Sequence, residues 1–151
     1  MSESKILRKI SVIFVTDVVG FSTLMAQNEE LTLRSFRSCK EILDNLFEEH
    51  RGRIFNTAGD SVLAEFQSAV SAVICAVEFQ KLIKARNASV NKEAQMQFRI
   101  GLNMGDVIIE GTNLYGDGVN VAARLEALSQ AGGVCLSKSI HDFVSQKVDL
   151  G

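Results

Sequence analysis

Two aspartates stand where a folded chain could bring carboxylates together. Asp17 follows the apolar, β-branched run 10–16, which is typical of a buried strand, and Asp60 lies in the Gly/Asp turn 58–60 between two short apolar segments. Neighbouring strand ends can place two such carboxylates at one site, where their oxygens suit Mg²⁺ or Mn²⁺ and a pair of ions can assist phosphoryl transfer. Taken alone, either aspartate is better explained as a turn-forming residue bonded to its own backbone.

The loop after Asp17 could hold an anion. Its residues are Val18, Val19, Gly20, Phe21 and Ser22, between a predicted strand and a predicted helix start. Backbone N–H groups at the N-terminus of a helix commonly hold phosphate oxygens, although this loop lacks the glycines and lysine of a P-loop. An ordinary strand-to-helix turn explains the same residues equally well.

Asn120 and Arg124 lie four residues apart in a predicted helix, so their side chains share one face. Arginine offers phosphate a fixed fork of donors, and an asparagine amide can orient a ribose by hydrogen bonding. The alternative for this helix alone is a solvated face with an incidental arginine.

A sheet and several helices must position these residues. Short apolar or alternating segments predict strands over 10–16, 53–56, 61–66, 97–103, 107–110 and 134–136. Helical spacing and caps, including Ser22 and Ser137, predict a short helix after Ser22 and helices over 28–51, 69–86, 115–129 and 137–144. This order predicts an α+β fold of ferredoxin-like type, with a mainly antiparallel sheet and helices on one face.

Composition narrows the classes of function. The 151 residues carry a net charge of −2, which gives no reason to expect a nucleic-acid or membrane surface, and the start of the chain has no signal-peptide pattern. We therefore expect a cytoplasmic domain. Cys39, Cys75 and Cys135 are widely spaced among apolar neighbours and are interpreted as buried thiols. The two histidines pair with no metal-ligand or triad pattern, so triad-type catalysis is not expected.

Four segments in order resemble the signature blocks of class III adenylyl and guanylyl cyclases. They are 16–22 (TDVVGFS), 57–60 (TAGD), 99–105 (RIGLNMG) and 115–126 (YGDGVNVAARLE). The resemblance extends from about residue 9 to residue 146 and is greatest for bacterial members. Four blocks in this order are much more specific than any one of them.

The resemblance implies a role for each of the residues above. Asp17 and Asp60 match the family's aspartates for two divalent metal ions, Mg²⁺ or Mn²⁺, and the loop from Val18 to Ser22 matches its triphosphate loop. Asn120 and Arg124 match its transition-state pair. The family cyclises a nucleoside triphosphate in a head-to-tail homodimer, in which the aspartates of one subunit face the Asn and Arg of the other.

The positions that select the base depart from the family pattern. Adenylyl cyclases usually have Lys and Asp, or sometimes Thr, where this chain has Asn56 and Asn113, and guanylyl cyclases commonly have Glu and a small residue or Cys. An asparagine amide can pair with adenine or rotate to suit guanine, so ATP is favoured over GTP only by the bacterial resemblance. The alternative is a weak or inactive cyclase homology domain that binds nucleotide or dimerises.

We expect residues 1–151 to form one cyclase catalytic domain. The family has further strands after the last helix, one of which carries a lysine that contacts the triphosphate, and Gly151 precedes them. Regulatory domains could be attached in a longer protein. A pure assembly domain, the third alternative, would leave the four polar side chains unexplained.

Overall fold

Six strands and five helices are formed by residues 6–147, which are the residues that the computed structural model describes. The strands are β1 (Leu7–Val18), β2 (Arg53–Ala58), β3 (Ser61–Phe66), β4 (Phe98–Glu110), β5 (Asn113–Tyr115) and β6 (Val134–Leu136). The helices are α1 (Phe21–Gln27), α2 (Glu29–His50), α3 (Ala69–Ala88), α4 (Asp117–Leu128) and α5 (Lys138–Val144). A single 3₁₀ turn, Lys92–Ala94, precedes β4.

The strands form one sheet in the order β2-β3-β1-β4-β5, with antiparallel neighbours throughout. The short strand β6 pairs in parallel with the first half of β4. The two long central strands pair from Leu7 opposite Ile109 to Val18 opposite Phe98, and this register places Asp17 opposite Arg99. The predicted α+β class and the mainly antiparallel sheet are confirmed.

Helices cover both faces of this sheet, so the expectation of helices on one face was wrong. Successive strand residues point to opposite faces. Phe14 belongs to the larger core cluster, beneath α2, α3 and α5, whereas its neighbours Ile13 and Val15 belong to a second cluster with Val119 of α4. In the larger cluster the Phe14 ring meets that of Phe47 edge-on at 5.1 Å, an arrangement worth about 0.5 to 1.5 kcal/mol beyond its buried area.

The sheet curls until its two outer strands, β2 and β5, come into contact on the α4 side. Phe55 of β2 and Leu114 of β5 are buried in the same cluster as Ile13. A register shift between Ile54 and Asn56 accompanies the curl, because the extra residue in a β-bulge bends a strand. The curled sheet and α4 thus enclose a second core.

Four predicted elements differ from the structure, and β5 was not among the predicted strands. The segments predicted over 97–103 and 107–110 are one strand, because Gly105 stays in the ladder opposite Ser11. Gly118 of α4, which has no side chain, lies directly against this part of the strand backbone. Tyr115 belongs to β5 rather than to the following helix. Ser22 does not cap α1, since Gly20 holds the cap position with a φ of 65°.

The remaining elements agree closely with the sequence-based prediction. Ser137 caps α5 by accepting a hydrogen bond from the Ile140 amide. Cys39 and Cys75 are buried, whereas Cys135 is only partly so. Within residues 6–147, no helix is both long enough and apolar enough to span a bilayer.

Candidate active site

Asp17 lies near the end of β1 on the face that α4 covers. Its partner across the strand pair, Arg99, donates from Nε to Oδ1 at 3.1 Å and from Nη2 to Oδ2 at 2.8 Å. The fork therefore holds both carboxylate oxygens in one plane, a geometry that only arginine supplies. The Asp17 side chain is 17% exposed, so the pair is partly shielded from water.

Asp60 reaches the same strand end from the turn between β2 and β3. Gly59 has a φ of 58°, a left-handed conformation that glycine adopts without strain, and the turn directs the next side chain toward β1. Asp60 Oδ2 accepts a hydrogen bond of 2.8 Å from the Val18 amide. The structure thus brings the two predicted carboxylates to neighbouring positions.

A third carboxyl group, that of Glu126, lies beside Asp17 and Asp60, and we call these three residues the carboxylate cluster. No role was predicted for Glu126 from the sequence. It extends from α4 toward the sheet, and its Oε2 lies 3.6 Å from Arg99 Nη2. Burial, followed by the nearby Asp17 carboxylate, raises the pKa of Glu126 to about 8. The sequence feature that could have identified it is its spacing: Glu126 is four residues after Ala122, so both side chains lie on the buried side of α4.

Gly101 allows α4 to place Glu126 there. A Cβ atom on Gly101 would collide with the Glu126 amide nitrogen and would lie 2.5 Å from the Ala122 carbonyl oxygen. The helix backbone therefore rests directly on β4. Side-chain packing alone could not bring a helix so close to the strand.

The cluster has an excess of acidic groups that suits a divalent cation. Arg99 forms ion pairs with Asp17 and Glu126. The pKa of Arg99 is raised first by its hydrogen bond to Asp17, and the charge of Asp60 also contributes. Each hydrogen-bonded aspartate oxygen keeps a second lone pair. Carboxylate oxygens are the donors that Mg²⁺ and Mn²⁺ prefer. The donor set fits such an ion, although residues 6–147 contain no preassembled group of three His, Cys, Asp or Glu ligands.

The predicted phosphate loop is partly committed to internal hydrogen bonds. The Val18 amide donates to Asp60, and the Val19 amide donates to the Gln97 carbonyl oxygen at 2.8 Å. Gly20 precedes α1, whose first turn has no side-chain cap. The amides available to an external anion are therefore those at the end of the loop, from Gly20 onward, rather than all five.

Asn120 and Arg124 are exposed, on the side of α4 opposite Ala122 and Glu126. Neither side chain has a hydrogen bond or an ion pair with any other residue in 6–147. The structure confirms that they share a helix face and places that face away from the sheet. Within one chain it does not bring them to the carboxylate cluster.

Asn56 and Asn113 lie on β2 and β5, the two strands that the curled sheet brings into contact. Asn56 is exposed. Asn113 is half-buried, and its amide is fixed by two hydrogen bonds, from the Leu114 amide to Oδ1 at 2.8 Å and from Nδ2 to the Tyr115 hydroxyl at 3.1 Å. The structure thus places the two positions on strands that approach each other.

Comparisons with known proteins agree with this fold. The family model for the adenylate and guanylate cyclase catalytic domain matches residues 3–150. A solved "Adenylate/Guanylate Cyclase/Hydrolase" from Silicibacter pomeroyi is 35% identical with a TM-score of 0.88, over 97% of this chain and 86% of that one. The catalytic core of a rhodopsin-guanylyl cyclase with converted specificity, solved with ATPalphaS, has a TM-score of 0.81 at 23% identity, over 95% of this chain and 86% of that one.

A sequence relative from Rhizobium meliloti (strain 1021), named "Putative adenylate cyclase 3", is 42% identical over 99% of this chain. The chain belongs to the class III adenylate and guanylate cyclase catalytic-domain family, and the resemblance predicted from the four signature blocks is confirmed. It spans about a quarter of the length of that relative, 26%.

Proposed function

We propose that this chain converts ATP, and less readily GTP, to the 3′,5′-cyclic nucleotide and pyrophosphate in a head-to-tail homodimer. The observation that carries the proposal is the division of the site between two surfaces. The carboxylate cluster lies at one end of β1, while Asn120 and Arg124 project from the outer side of α4 without a partner in residues 6–147. In a dimer with a two-fold axis, the carboxylate cluster of each subunit would face Asn120 and Arg124 of the other subunit, so the dimer would have two complete sites.

In the proposed reaction the ribose 3′-oxygen attacks the α-phosphorus. A bond from O3′ to phosphorus forms, the bond from that phosphorus to the bridging oxygen breaks, pyrophosphate leaves and the hydroxyl proton passes to solvent. Two divalent ions, Mg²⁺ or Mn²⁺, would activate the attacking oxygen and neutralise the triphosphate when bound. Asp17 and Asp60 would hold them, and the fork of Arg99 would keep the Asp17 carboxylate in a fixed orientation.

The remaining roles follow from the side chains. Arg124 would donate to the phosphorus oxygens as negative charge develops, and loss of one preorganised donor of this kind commonly lowers the rate about 10²- to 10³-fold. Asn120, one helical turn earlier, would orient the ribose. The available amides from Gly20 onward would receive phosphate oxygens, and Asn56 and Asn113 would contact the base.

Preference for ATP rests on the adenylate cyclase name of the Rhizobium relative, and the solved neighbour with ATPalphaS supports a nucleotide in this fold. We further propose that the chain is a single catalytic domain, because both core clusters share the one sheet. Since the chain spans about a quarter of the length of that relative, we also propose that additional regulatory domains are attached to it in a longer protein.

A weak or inactive homology domain is the second candidate, and two observations favour it. Asn56 and Asn113 match neither base-selecting pattern, and both oxygens of Asp17 already accept hydrogen bonds from Arg99. Such a domain would bind nucleotide or dimerise without turnover.

Product analysis separates the two candidates. The purified chain, and a version extended at its C-terminus by the family's last strands, would be incubated with ATP or GTP in Mn²⁺ and in Mg²⁺, and products identified by mass. We expect a cyclic nucleotide that disappears with Arg124→Ala and falls at least about 10²-fold with Asp17→Ala. Arg37→Ala, at another exposed arginine, on α2, is the matched control and should keep full activity. Absence of cyclic product from both versions of the chain would favour the homology domain.

A further inference from the structure

One arginine joins the two outer strands of the curled sheet. Arg53, the first residue of β2, donates from Nη1 to the Thr112 carbonyl oxygen at 2.7 Å. Thr112 immediately precedes Asn113 of β5. The strands β2 and β5 are the two ends of the sheet order, so no ladder of backbone hydrogen bonds joins them directly.

Arg53 is itself held in place by Glu65 of β3. Nε and Nη2 both donate to Glu65 Oε1, at 2.9 and 2.6 Å. The other oxygen, Oε2, lies 3.0 Å from Lys9 Nζ and accepts from Ser11 Oγ at 3.0 Å. The Glu65 side chain is only 12% exposed, and although burial acts to raise its pKa, the hydrogen bonds from Arg53, Lys9 and Ser11 lower it below the ordinary value. Glu65 therefore stays ionised and orients the guanidinium.

The amide of Asn113 is oriented locally. A backbone N–H can only donate, so the contact with the Leu114 amide assigns Oδ1 to that side, and Nδ2 must then face the Tyr115 hydroxyl. These local hydrogen bonds do not set the distance between Asn113 and Asn56, because that distance depends on how β5 is held against β2. Asn56 is three residues after Arg53 on the same strand.

We propose that Arg53 is a positioning residue for base recognition, which fixes the distance between Asn56 and Asn113 by joining Glu65 to the Thr112 carbonyl oxygen. This inference rests on the proposed function, because it assumes that these two asparagines contact the purine. A pair of amides reads a base only when their spacing matches its edge, so a loosened β5 should bind nucleotide less tightly and discriminate the two purines differently.

Substitutions of Arg53 test the proposal. Arg53→Gln removes both contacts, whereas Arg53→Lys keeps a charge for Glu65 but lacks the separate Nη1 that reaches the Thr112 carbonyl oxygen. We expect both variants to raise KM about three- to tenfold and to change the ATP to GTP ratio of kcat/KM at least about threefold, with kcat at saturation within about twofold. A merely structural ion pair would predict that lysine restores the wild-type ratio.

A matched control is Arg86→Gln. Arg86 likewise donates from Nη1 to a backbone carbonyl oxygen, that of Ala94 at 3.0 Å, but it lies on α3 under the opposite face of the sheet. It should leave the base ratio unchanged. Equilibrium binding of fluorescent ATP and GTP analogues gives a second readout that needs no turnover, and hydrogen exchange at the Leu114 amide should be faster in both Arg53 variants.

The outcomes separate this inference from the proposed function. Wild-type chain that binds both nucleotides but forms no cyclic product overturns the proposed function alone, because the binding ratio still tests Arg53. Wild-type chain that binds neither nucleotide overturns both proposals. Unchanged KM and base ratio in Arg53→Gln, or the same ratio change in Arg86→Gln, overturns the positioning role of Arg53.

Discussion

The contact between α4 and Gly101 predicts a large effect from one added methyl group. In Gly101→Ala the new Cβ would lie 2.5 Å from the Ala122 carbonyl oxygen and 2.8 Å from the Glu126 Cα, where ordinary contacts begin at 3.4 Å. Both atoms belong to the helix backbone, so no side-chain rotation relieves the overlap and α4 must move by about 1 Å. We expect the free energy of unfolding to fall by about 3 kcal/mol, at the upper end for overpacked cores.

Urea denaturation measures this change. With an m-value of about 2 kcal/mol/M, the midpoint should fall by about 1.5 M. A shift of α4 by about 1 Å also moves Arg124, and misplacement on that scale can lower turnover about 10²-fold. Gly111→Ala is the control, because it has open space but a φ of +61°, which costs about 1 kcal/mol. If Gly101→Ala lowers the midpoint no more than Gly111→Ala does, the close packing of α4 on β4 is refuted.

Three further predictions concern the dimer, the acidic cluster and the thiols. An equal mixture of inactive Asp17→Ala and Arg124→Ala chains should recover about 25% of wild-type turnover, because half of the dimers are mixed and each has one intact site; no recovery would contradict the head-to-tail arrangement. In EDTA, the free energy of unfolding should fall as pH rises from about 5 to above 8, because folded Glu126 with its raised pKa keeps a proton that the unfolded chain has lost. Glu126→Gln should reduce that fall by about 2 to 4 kcal/mol, as urea denaturation at each pH would measure. Burial raises the pKa of Cys75 to about 12, so iodoacetamide at pH 8 should label the partly buried Cys135 first, as peptide mass analysis would detect; equal labelling would contradict the burial of Cys75.

The carboxylate site could be predicted only in part. Asp17 and Asp60 were identified because a carboxylate at a strand end or turn is visible as a break in an apolar pattern. Arg99 and Glu126 were not assigned to the site, although both lay in the recognised blocks. Their contacts depend on the register of β1 with β4 and on the approach of α4 to the sheet. Arg99 and Glu126 are both about 80 or more residues from Asp17 along the chain, so no local pattern indicates these contacts.

The curvature of the sheet was also beyond sequence reasoning. Asn56 and Asn113 were paired through resemblance to a family, but no local pattern indicated that β2 and β5 would meet or that Arg53 would join them. Neither Ile54 nor Phe55, which lie at the bulge, is a residue type that predicts a bend. A bend of this kind follows from burying Phe55 and Leu114 in one cluster, which is a property of the assembled sheet.

Local sequence patterns predict the type and order of most elements but not β5, since apolar period, caps and turn residues act over a few neighbours. The sequence also identifies the family, because the four signature blocks can be recognised by their residues and order without knowledge of the fold. Tertiary structure alone decided that β4 runs unbroken through Gly105, that α4 covers the opposite face, and that Asn120 and Arg124 turn away from Asp17 and Asp60. Those outcomes depend on which surfaces exclude water together, and in this chain the absence of side chains at Gly101 and Gly118 lets α4 pack directly on the strand.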